Sequence, residues 1–366
     1  MKISRREFTT GLLAAGTLPL MAAEKKPMIK GALLHLGSNM WGDFLFDPDQ
    51  SYQHYRNYVL AEDACWKETA DFAAKKQLNL VVMDVGEALV YPSHPELAVK
   101  GSWSVEKMRA ELTRMRGLGL EVIPKLNFSA GHDPWLKHYS RMLSTPEYYK
   151  VIDDLIADVV DIFDHPRFFH IGCDEECHAT QRTRAMATMR QGELWWHDIN
   201  YFAKCILKRG SRPMMFSDKM WWGRKEFLSK MNKDIVQSPW YYQEEFTDDV
   251  LSWDYEFEKS GAWPHKRHGA ATIVALDEAG FEQIPCCSNC YRPLSVEKFV
   301  KFCSERLYSH ANFLGLYVAP WGMSVPGRMY TLKERKDNKR SLRGSGTALT
   351  KEGISQFSAA LSRYSS

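Results

Sequence analysis

The stretch Arg167-Phe-Phe-His-Ile-Gly-Cys-Asp-Glu-Glu176 contains a short apolar run that ends abruptly in three consecutive carboxylates. An apolar run of this length, bounded by polar residues, predicts a strand that is buried on both faces. Carboxylates at the end of such a buried strand cost free energy unless they form ion pairs or hydrogen bonds, or take part in binding or catalysis. We therefore interpret Asp174, Glu175 and Glu176 as a candidate functional cluster. The alternative is that they form the acidic first turn of the next helix.

Seven further stretches show a strand pattern, and helical patterns alternate with them. The predicted strands are 29–36, 78–85, 121–127, 168–172, 213–217, 234–238, 281–286 and 313–318. The predicted helices are 63–76, 104–116, 146–163, 193–209, 268–279, 295–310 and 350–364. Eight strands alternating with helices predict a single α/β domain, a (β/α)8 TIM barrel. A doubly wound open sheet is less favoured, because no Gly-x-Gly-x-x-Gly follows the first strand.

The first 23 residues have the pattern of an export signal. Ser4-Arg-Arg-Glu-Phe8 is followed by an uncharged stretch that ends in small residues at Ala22 and Ala23. The paired arginines resemble a bacterial twin-arginine signal, and the apolar stretch is too short for a typical membrane span. The sequence thus predicts a signal peptide over 1–23, a barrel domain over 24–366 and a periplasmic or secreted protein without a membrane span.

Composition narrows the function classes further. The formal net charge of +3 over 366 residues gives no indication of a nucleic-acid partner. An exported protein could pair its eight cysteines, but twin-arginine substrates resemble proteins that fold before export in a reducing compartment. We therefore expect mostly free thiols.

Polar and aromatic residues follow the predicted strands, where a parallel barrel assembles its active site. They are Asp84 and Glu87 after strand two, Asn127 and His132 after strand three, Asp174 to Glu176 after strand four, Asp218 and Trp222 after strand five, and Trp240, Tyr291 and Trp321 after strands six to eight. Carboxylates bind hydroxyl groups, and flat aromatic rings pack on the apolar faces of sugar rings. The combination favours a carbohydrate ligand, and a carboxyl that stays protonated would serve acid catalysis at a glycosidic oxygen.

These residues also carry a family resemblance. His170-Ile-Gly-Cys-Asp-Glu175 resembles the His-x-Gly-Gly-Asp-Glu signature of family 20 glycoside hydrolases, the β-N-acetylhexosaminidases. Glu121-Val-Ile-Pro124 with Gly131-His132 is similar to a second stretch of that family, and Ile235-Val-Gln-Ser238 before Trp240 resembles its Val-Gln-x-Trp strand. Leu314-Gly315 with Trp321 resembles the family's last strand, and the matches occur in family order.

The resemblance implies retaining, substrate-assisted hydrolysis of β-linked N-acetylhexosamine glycans without a cofactor or metal. Glu175 would be the general acid, and Asp174 would orient the acetamido group of the substrate. The implied substrate-binding residues are Asp84, Glu87, His132, His170, Asp218, Trp222, Trp240, Tyr291 and Trp321, with Tyr291 on the acetamido oxygen.

The chain departs from the family pattern around the pair. No Arg follows the first strand near Ser38, and His35 occupies the Asp position of that strand. Cys173 replaces a Gly, and Lys219 follows Asp218 where Glu is usual. Lys125 and Asn127 replace residues that are commonly acidic. These changes predict an altered specificity for the terminal sugar.

Two other functions remain open from the sequence. Cys173, Cys177 and His178, or Cys286, Cys287 and Cys290, have spacings that could supply metal ligands for a metal-dependent hydrolase. A barrel that binds carbohydrate without cleaving it is the other alternative. Adjacent carboxylates argue against it, because binding alone does not need them. The glycan, the linkage and the oligomeric state are not encoded in any of these patterns.

Overall fold

A computed structural model of the chain describes residues 27–43, 55–253, 265–327 and 346–364. The predicted signal peptide over 1–23 lies outside the described residues. Within them, no helix is both long enough and apolar enough to cross a membrane.

The described strands form one parallel eight-stranded sheet, in the order β6-β5-β4-β3-β2-β1-β8-β7. The strands are β1 (Ile29–His35), β2 (Leu80–Asp84), β3 (Glu121–Lys125), β4 (Phe168–His170), β5 (Arg212–Phe216), β6 (Val236–Ser238), β7 (Cys286–Cys287) and β8 (Gly315–Val318). Parallel bridges from Gln237 to Gln283 and from Trp240 to Cys286 join β6 to the segment leading into β7. The sheet is therefore a closed barrel, and the predicted (β/α)8 fold is confirmed.

Helices surround the barrel. They are α1 (Asp63–Lys75), α2 (Val105–Gly117), α3 (Pro146–Ile162), α4 (Gly192–Leu207), α5 (Arg224–Lys230), α6 (Asp248–Leu251), α7 (His265–Glu278), α8 (Ser295–Arg306) and α9 (Gly346–Tyr364). Short 3-10 helices lie at Gly86–Ala88, Pro95–Leu97, Pro134–Arg141, Thr180–Thr183 and Asp218–Trp222. At the starts of α2 and α3, the side chains of Ser104 and Thr145 accept hydrogen bonds from the backbone of Lys107 and Tyr148.

Two differences from the predicted elements have a physical cause. The strand predicted over 281–286 is regular only at Cys286–Cys287. Before it, the chain pairs with the neighbouring strands through isolated bridges at one residue, Gln283. Helix α5 is absent from the prediction, because its seven residues are too few to display a full helical period. Neither difference changes the order of the strands.

Alternate residues of each strand face two separate cores. Val81 and Met83 pack against the surrounding helices, whereas Leu80 and Val82 belong to a second cluster that fills the barrel. Burial on both faces explains why the strands are continuous apolar runs rather than alternating ones.

A polar layer caps this interior at the carboxyl ends of the strands. Four side chains form this layer. Each comes two residues after an apolar residue of the barrel interior and is at most 1% exposed; they are His35, Asp84, Lys125 and His170. The Lys125 ammonium donates to Asp84 at 2.6 Å, and His35 Nδ1 lies 3.4 Å from the same carboxylate oxygen. Burial alone would raise the pKa of Asp84, but the charge of Lys125 and the contacts with His35 lower it overall. The candidate site is thus built directly above buried charges that are already paired.

All eight cysteines are free thiols, and seven of them are buried. The expectation of mostly free thiols is confirmed. Burial raises the pKa of Cys286 and Cys287, so these side chains act as small apolar residues of the barrel.

The close approach of strands β1 and β8 gives a stability prediction. Gly315 has a φ of 138°, and a Cβ atom there would lie 2.2 Å from the carbonyl oxygen of Ile29. Gly315→Ala is expected to lower the free energy of unfolding by roughly 2–5 kcal/mol, from backbone strain and steric overlap together. Urea denaturation measures this change.

Gly117→Ala is the matched control, because no heavy atom lies within 4 Å of the added methyl group. It is expected to leave the stability unchanged or to raise it by up to about 1 kcal/mol. Equal effects of the two substitutions would show that the packing at Gly315 is not tight.

Candidate active site

The chain leaves β4 through an unusual backbone turn that carries the candidate catalytic pair. Gly172, Cys173 and Glu175 have φ values of 68°, 64° and 51°. Each non-glycine residue in this left-handed region costs about 1–2 kcal/mol, so the surrounding contacts must hold the turn in place. The turn sets the direction in which Asp174 and Glu175 leave the strand.

Asn127, at the end of β3, supplies those contacts. Its side-chain oxygen accepts hydrogen bonds from the backbone N–H groups of Cys173 at 3.1 Å and Ser129 at 3.0 Å. A Cβ atom on Gly172 would lie 2.0 Å from this oxygen, so only glycine fits against the amide. Asn127 therefore ties the loop after β3 to the turn after β4.

The amide of Asn127 also holds the first carboxylate. Its Nδ2 donates to Asp174 Oδ1 at 2.8 Å, and His132 Nε2 lies 3.4 Å from Asp174 Oδ2. Asp174 is 6% exposed. Burial opposes ionisation, but the charge and hydrogen bond of His132, with the charge of Lys125, hold the pKa of Asp174 well below its usual range. Asp174 is thus a fixed negative charge.

His132 links the two members of the pair. Its Nδ1 lies 3.1 Å from the carbonyl oxygen of Met40, and its Nε2 lies 3.2 Å from Glu175 Oε2. Because a carbonyl only accepts, Nδ1 carries a proton and Nε2 faces the carboxylates. Burial lowers the pKa of His132, but Asp174 and Glu175 raise it overall to about 10. Nε2 of the imidazolium therefore donates toward both Glu175 and Asp174.

Asp218, in the 3-10 helix after β5, supports Glu175 from the other side. Its Oδ2 accepts from the backbone N–H of Glu175 at 2.8 Å, and its Oδ1 accepts from Trp240 Nε1 at 3.3 Å. Burial, together with the charge of Asp174, raises the pKa of Asp218 to about 7. This side chain positions the backbone of Glu175 and the ring of Trp240.

Glu175 is the more accessible member of the pair, with 20% of its side chain exposed. It faces a pocket lined mainly by aromatic side chains. The lining residues are Met40, Trp41, His132, Asp174, Glu175, Trp240, Tyr242 and Trp321. The cavity between them measures about 10 Å³, which is room for about one water molecule.

Glu176 differs from its two neighbours. Its carboxylate accepts from Arg190 Nη2 at 2.7 Å and from Arg190 Nε at 3.0 Å, and both side chains are 2% exposed. Arg190 also donates to Asp198 at 3.1 Å and to the carbonyl of Phe128 at 2.7 Å. For Glu176, the alternative that these carboxylates form the first turn of the next helix is wrong, because α4 begins only at Gly192. Glu176 instead anchors the loop that carries the catalytic pair.

Three predicted binding residues lie behind the pocket lining. Asp84 is paired with Lys125, and Glu87 accepts from the backbone N–H of Ser38 at 2.8 Å. Burial raises the pKa of Glu87 to about 7. His170 is buried, its Nδ1 accepts from the N–H of Gly172 at 3.0 Å, and burial lowers its pKa to about 3. These three side chains contact the protein rather than the pocket.

Two further predicted residues lie outside the pocket lining. Trp222 is 52% exposed, and Tyr291 is 45% exposed. The structure brings together the remaining predicted residues, with Trp240 and Trp321 in the lining and Asp218 directly behind it. Met40, Trp41 and Tyr242 line the pocket and are absent from the predicted set. Tyr242 was detectable, since it lies two residues after Trp240 in the same aromatic run.

The predicted cysteine clusters do not form a metal site in the described part of the chain. Among the residues described, one group of three His, Cys, Asp or Glu side chains is compact enough to hold an ion, namely His132, Asp174 and Glu175, with ligand atoms within 4.8 Å of one another. No cysteine belongs to it. The same three atoms share hydrogen bonds, so their proximity is accounted for without an ion.

The buried pair of Glu176 and Arg190 gives a second prediction. Arg190→Met leaves the carboxylates of Glu176 and Asp198 buried without their partner, and is expected to cost about 3–5 kcal/mol of stability. Lys230→Met removes the half-exposed pair with Glu226 and is expected to cost less than about 1 kcal/mol. Chemical denaturation of both variants tests this, and similar losses would contradict the anchoring role of Arg190.

The raised pKa of His132 gives a third prediction. Its folded-state pKa of about 10 exceeds the ordinary value of 6.5, so protonation stabilises the folded protein. That contribution is fully present below pH 6.5 and is lost as the pH rises through about 10. The stability difference between the wild type and His132→Gln should therefore shrink across this window. Urea denaturation over the pH series measures it, and a constant difference would show that the imidazole is neutral in the folded state.

Comparison with known proteins finds similarity in structure alone. No protein-family model matches the sequence, and no curated protein matches it. The GH20 exo-β-N-acetylglucosaminidase from Vibrio harveyi, solved with N-acetylglucosamine, shares a TM-score of 0.55 at 14% identity over 92% of this chain and 57% of that one. The β-N-acetylhexosaminidase from Bacteroides fragilis gives 0.54 at 12% identity over 90% of this chain and 66% of that one.

Dispersin B is the third of these structures, with a TM-score of 0.51 at 15% identity over 90% of this chain and 99% of that chain. The present chain thus spans less than two thirds of the first two proteins and nearly the whole length of the third. At these identities, the similarity establishes that the chain shares the barrel fold of these three proteins.

Proposed function

We propose that this protein is a retaining glycoside hydrolase that cleaves β-linked N-acetylhexosamine residues with the help of the substrate's own acetamido group. The observation that carries the proposal is the unequal pair of adjacent carboxylates. Asp174 is buried and ionised between Asn127 and His132, while Glu175 faces the pocket with its Oε2 3.2 Å from His132 Nε2. The named activities of the structural relatives, a GH20 exo-β-N-acetylglucosaminidase and a β-N-acetylhexosaminidase, support the same chemistry.

The first step is acid-assisted cleavage of the glycosidic bond. Glu175 receives a proton from His132 Nε2 and gives it to the glycosidic oxygen as the bond between that oxygen and C1 breaks. The acetamido carbonyl oxygen of the same sugar forms a bond to C1, which yields an oxazolinium ion. Asp174 accepts a hydrogen bond from the acetamido N–H, and its fixed negative charge stabilises the positive ring.

The second step restores the enzyme. Glu175, now a carboxylate, removes a proton from water while the water oxygen bonds to C1 and the acetamido oxygen leaves. The configuration at C1 is retained because it has been inverted twice.

The remaining residues have supporting roles in this proposal. Trp240, Trp321 and Trp41 provide flat apolar faces for the sugar. Asp218 holds the backbone of Glu175, while Asp84, Glu87 and His170 stabilise the barrel mouth beneath the pocket. The proposal needs no cofactor. Met40 and Trp41 form an apolar wall where the family resemblance predicts an Arg, and this wall supports an altered terminal-sugar specificity.

The predicted export signal also indicates where the proposed enzyme acts. An enzyme exported through residues 1–23 would meet its glycan in the periplasm or outside the cell. Cell fractionation tests this, and retention in the cytoplasm with residues 1–23 intact would refute it.

Aryl β-glycosides test the reaction itself. Wild-type protein should hydrolyse an aryl β-N-acetylglucosaminide or galactosaminide and not the corresponding plain β-hexoside, because only the former carries the internal nucleophile. Glu175→Gln and Asp174→Asn should each lower kcat by about 10²–10⁴-fold. Replacing the acetyl group with mono-, di- and trifluoroacetyl groups should lower the rate progressively, since fluorine weakens the carbonyl nucleophile.

Several results would contradict the proposal. Cleavage of plain hexosides alone, or a rate independent of fluorination, would exclude participation of the acetamido group. Binding of amino-sugar glycans with no turnover, and no difference between wild type and Glu175→Gln, would identify a carbohydrate-binding protein instead.

A further inference from the structure

The loop after β4 begins at the candidate catalytic pair, and its tip returns to the chain next to His132. The tip consists of Arg184 and Ala185. The guanidinium of Arg184 pairs with the carboxylate of Asp133, which directly follows His132 in the chain. The side chains of Arg184 and Asp133 are 4% and 0% exposed. The loop tip therefore holds the chain on one side of the imidazole.

Ala185 holds the segment that contacts His132 from the loop after β1. Its backbone N–H donates to Asp43 Oδ1 at 2.8 Å, and Arg141 Nη2 donates to Asp43 Oδ2 at 3.1 Å. Asp43 comes three residues after Met40, whose carbonyl oxygen lies 3.1 Å from His132 Nδ1. Both partners of the contact between Met40 and His132 are consequently attached to adjacent residues of one loop.

The loop that carries this tip is braced by two side-chain contacts. Glu176 and Arg190 form a buried ion pair across its base. Closer to the tip, the side-chain amide of Gln181 donates to the carbonyl oxygen of Thr188 at 2.5 Å and accepts from the N–H of the same residue at 2.6 Å. Gln181 is 1% exposed. The tip is thus a fixed point to which other segments can be attached.

The segment around Met40 is held on its other side as well. The carboxylate of Glu87 accepts from the backbone N–H of Ser38 at 2.8 Å and from that of Asn39 at 3.2 Å. Asp43 provides the corresponding contact after Met40. Without the carboxylate of Asp43, the carbonyl group of Met40 would be held from one side only.

We propose that Asp43 is a positioning residue for His132 and acts through the carbonyl group of Met40. The contact of Nδ1 with this carbonyl fixes a proton on that nitrogen and directs Nε2 toward Glu175. Asp43 itself lies outside the pocket lining. The inference rests on the proposed function, in which His132 Nε2 supplies the proton of Glu175.

The test removes the carboxylate of Asp43 and measures turnover of an aryl β-N-acetylglucosaminide. Asp43→Ala should lower kcat roughly 3- to 10-fold, which corresponds to one lost hydrogen bond. Because Asp43 does not line the pocket, KM should stay within about twofold of wild type. Asp43→Asn keeps an oxygen that accepts from Ala185 and should recover most of the lost rate. An unchanged kcat, or a change in KM alone, would overturn the proposal.

Asp158→Ala is the matched control. Asp158 Oδ2 accepts from the backbone N–H of Ser93 at 2.8 Å and from its hydroxyl at 2.6 Å, so this carboxylate also fastens a loop. Neither residue lines the pocket, and kcat should equal that of wild type. Asp43→Ala should also have no further effect on kcat in a His132→Gln background, because the group that it positions is gone. The same loss with and without His132 would contradict the proposed route.

Failure of the proposed function is recognised separately. If wild type hydrolyses no glycoside, a nuclear magnetic resonance titration of His132 tests the position of the imidazole without turnover. The pKa of His132, about 10 in wild type, should fall in Asp43→Ala, because Nε2 moves away from the carboxylates of Asp174 and Glu175. It should not change in Asp158→Ala. An unchanged pKa of His132 in Asp43→Ala would overturn the positioning role whether or not the protein is an enzyme.

Discussion

The structure of the site depends on keeping one carboxylate ionised inside the protein. Asp174 is almost fully buried at the mouth of the barrel, where an unpaired charge would cost several kcal/mol. The amide of Asn127, the imidazole of His132 and the more distant charge of Lys125 compensate that cost. Each donor comes from β3 or the loop after it, so the position of the third strand relative to the fourth determines whether the site exists.

The Asn127 side chain that stabilises the charge of Asp174 also constrains the backbone. The oxygen of the Asn127 amide occupies the space where any side chain on Gly172 would lie, and it accepts the N–H of Cys173 in a left-handed turn. Cys173 takes that conformation although it has a Cβ atom, and the buried pair of Glu176 with Arg190 holds the far side of the loop. Strain near the reacting groups is therefore balanced by ion pairs and hydrogen bonds a few residues away.

Depth of burial and the number of hydrogen-bond donors distinguish the two members of the catalytic pair. His132 must carry hydrogen on the nitrogen that faces Met40, which directs its other nitrogen toward Glu175 and Asp174. Asp174 lies deeper and has two donors, whereas Glu175 opens to the pocket. Adjacent residues of one chemical type thus acquire different roles from their surroundings, a pattern that is common among enzymes with paired carboxylates.

The sequence by itself determined the barrel and the location of the site. Two-sided burial requires continuous apolar runs, and parallel strands place their carboxyl ends together, so the pattern of residues alone groups Asp174, Glu175, His132, Asp218 and Trp240 at one end of the barrel. Only the tertiary structure decided which side chains face the pocket. Glu176 turns into a buried ion pair, Asp84 and Glu87 bind the protein itself, and Trp41 and Tyr242 replace Trp222 and Tyr291 in the lining. The direction of a loop side chain depends on backbone angles and on neighbours that are distant in sequence, and a local pattern of residues does not record either.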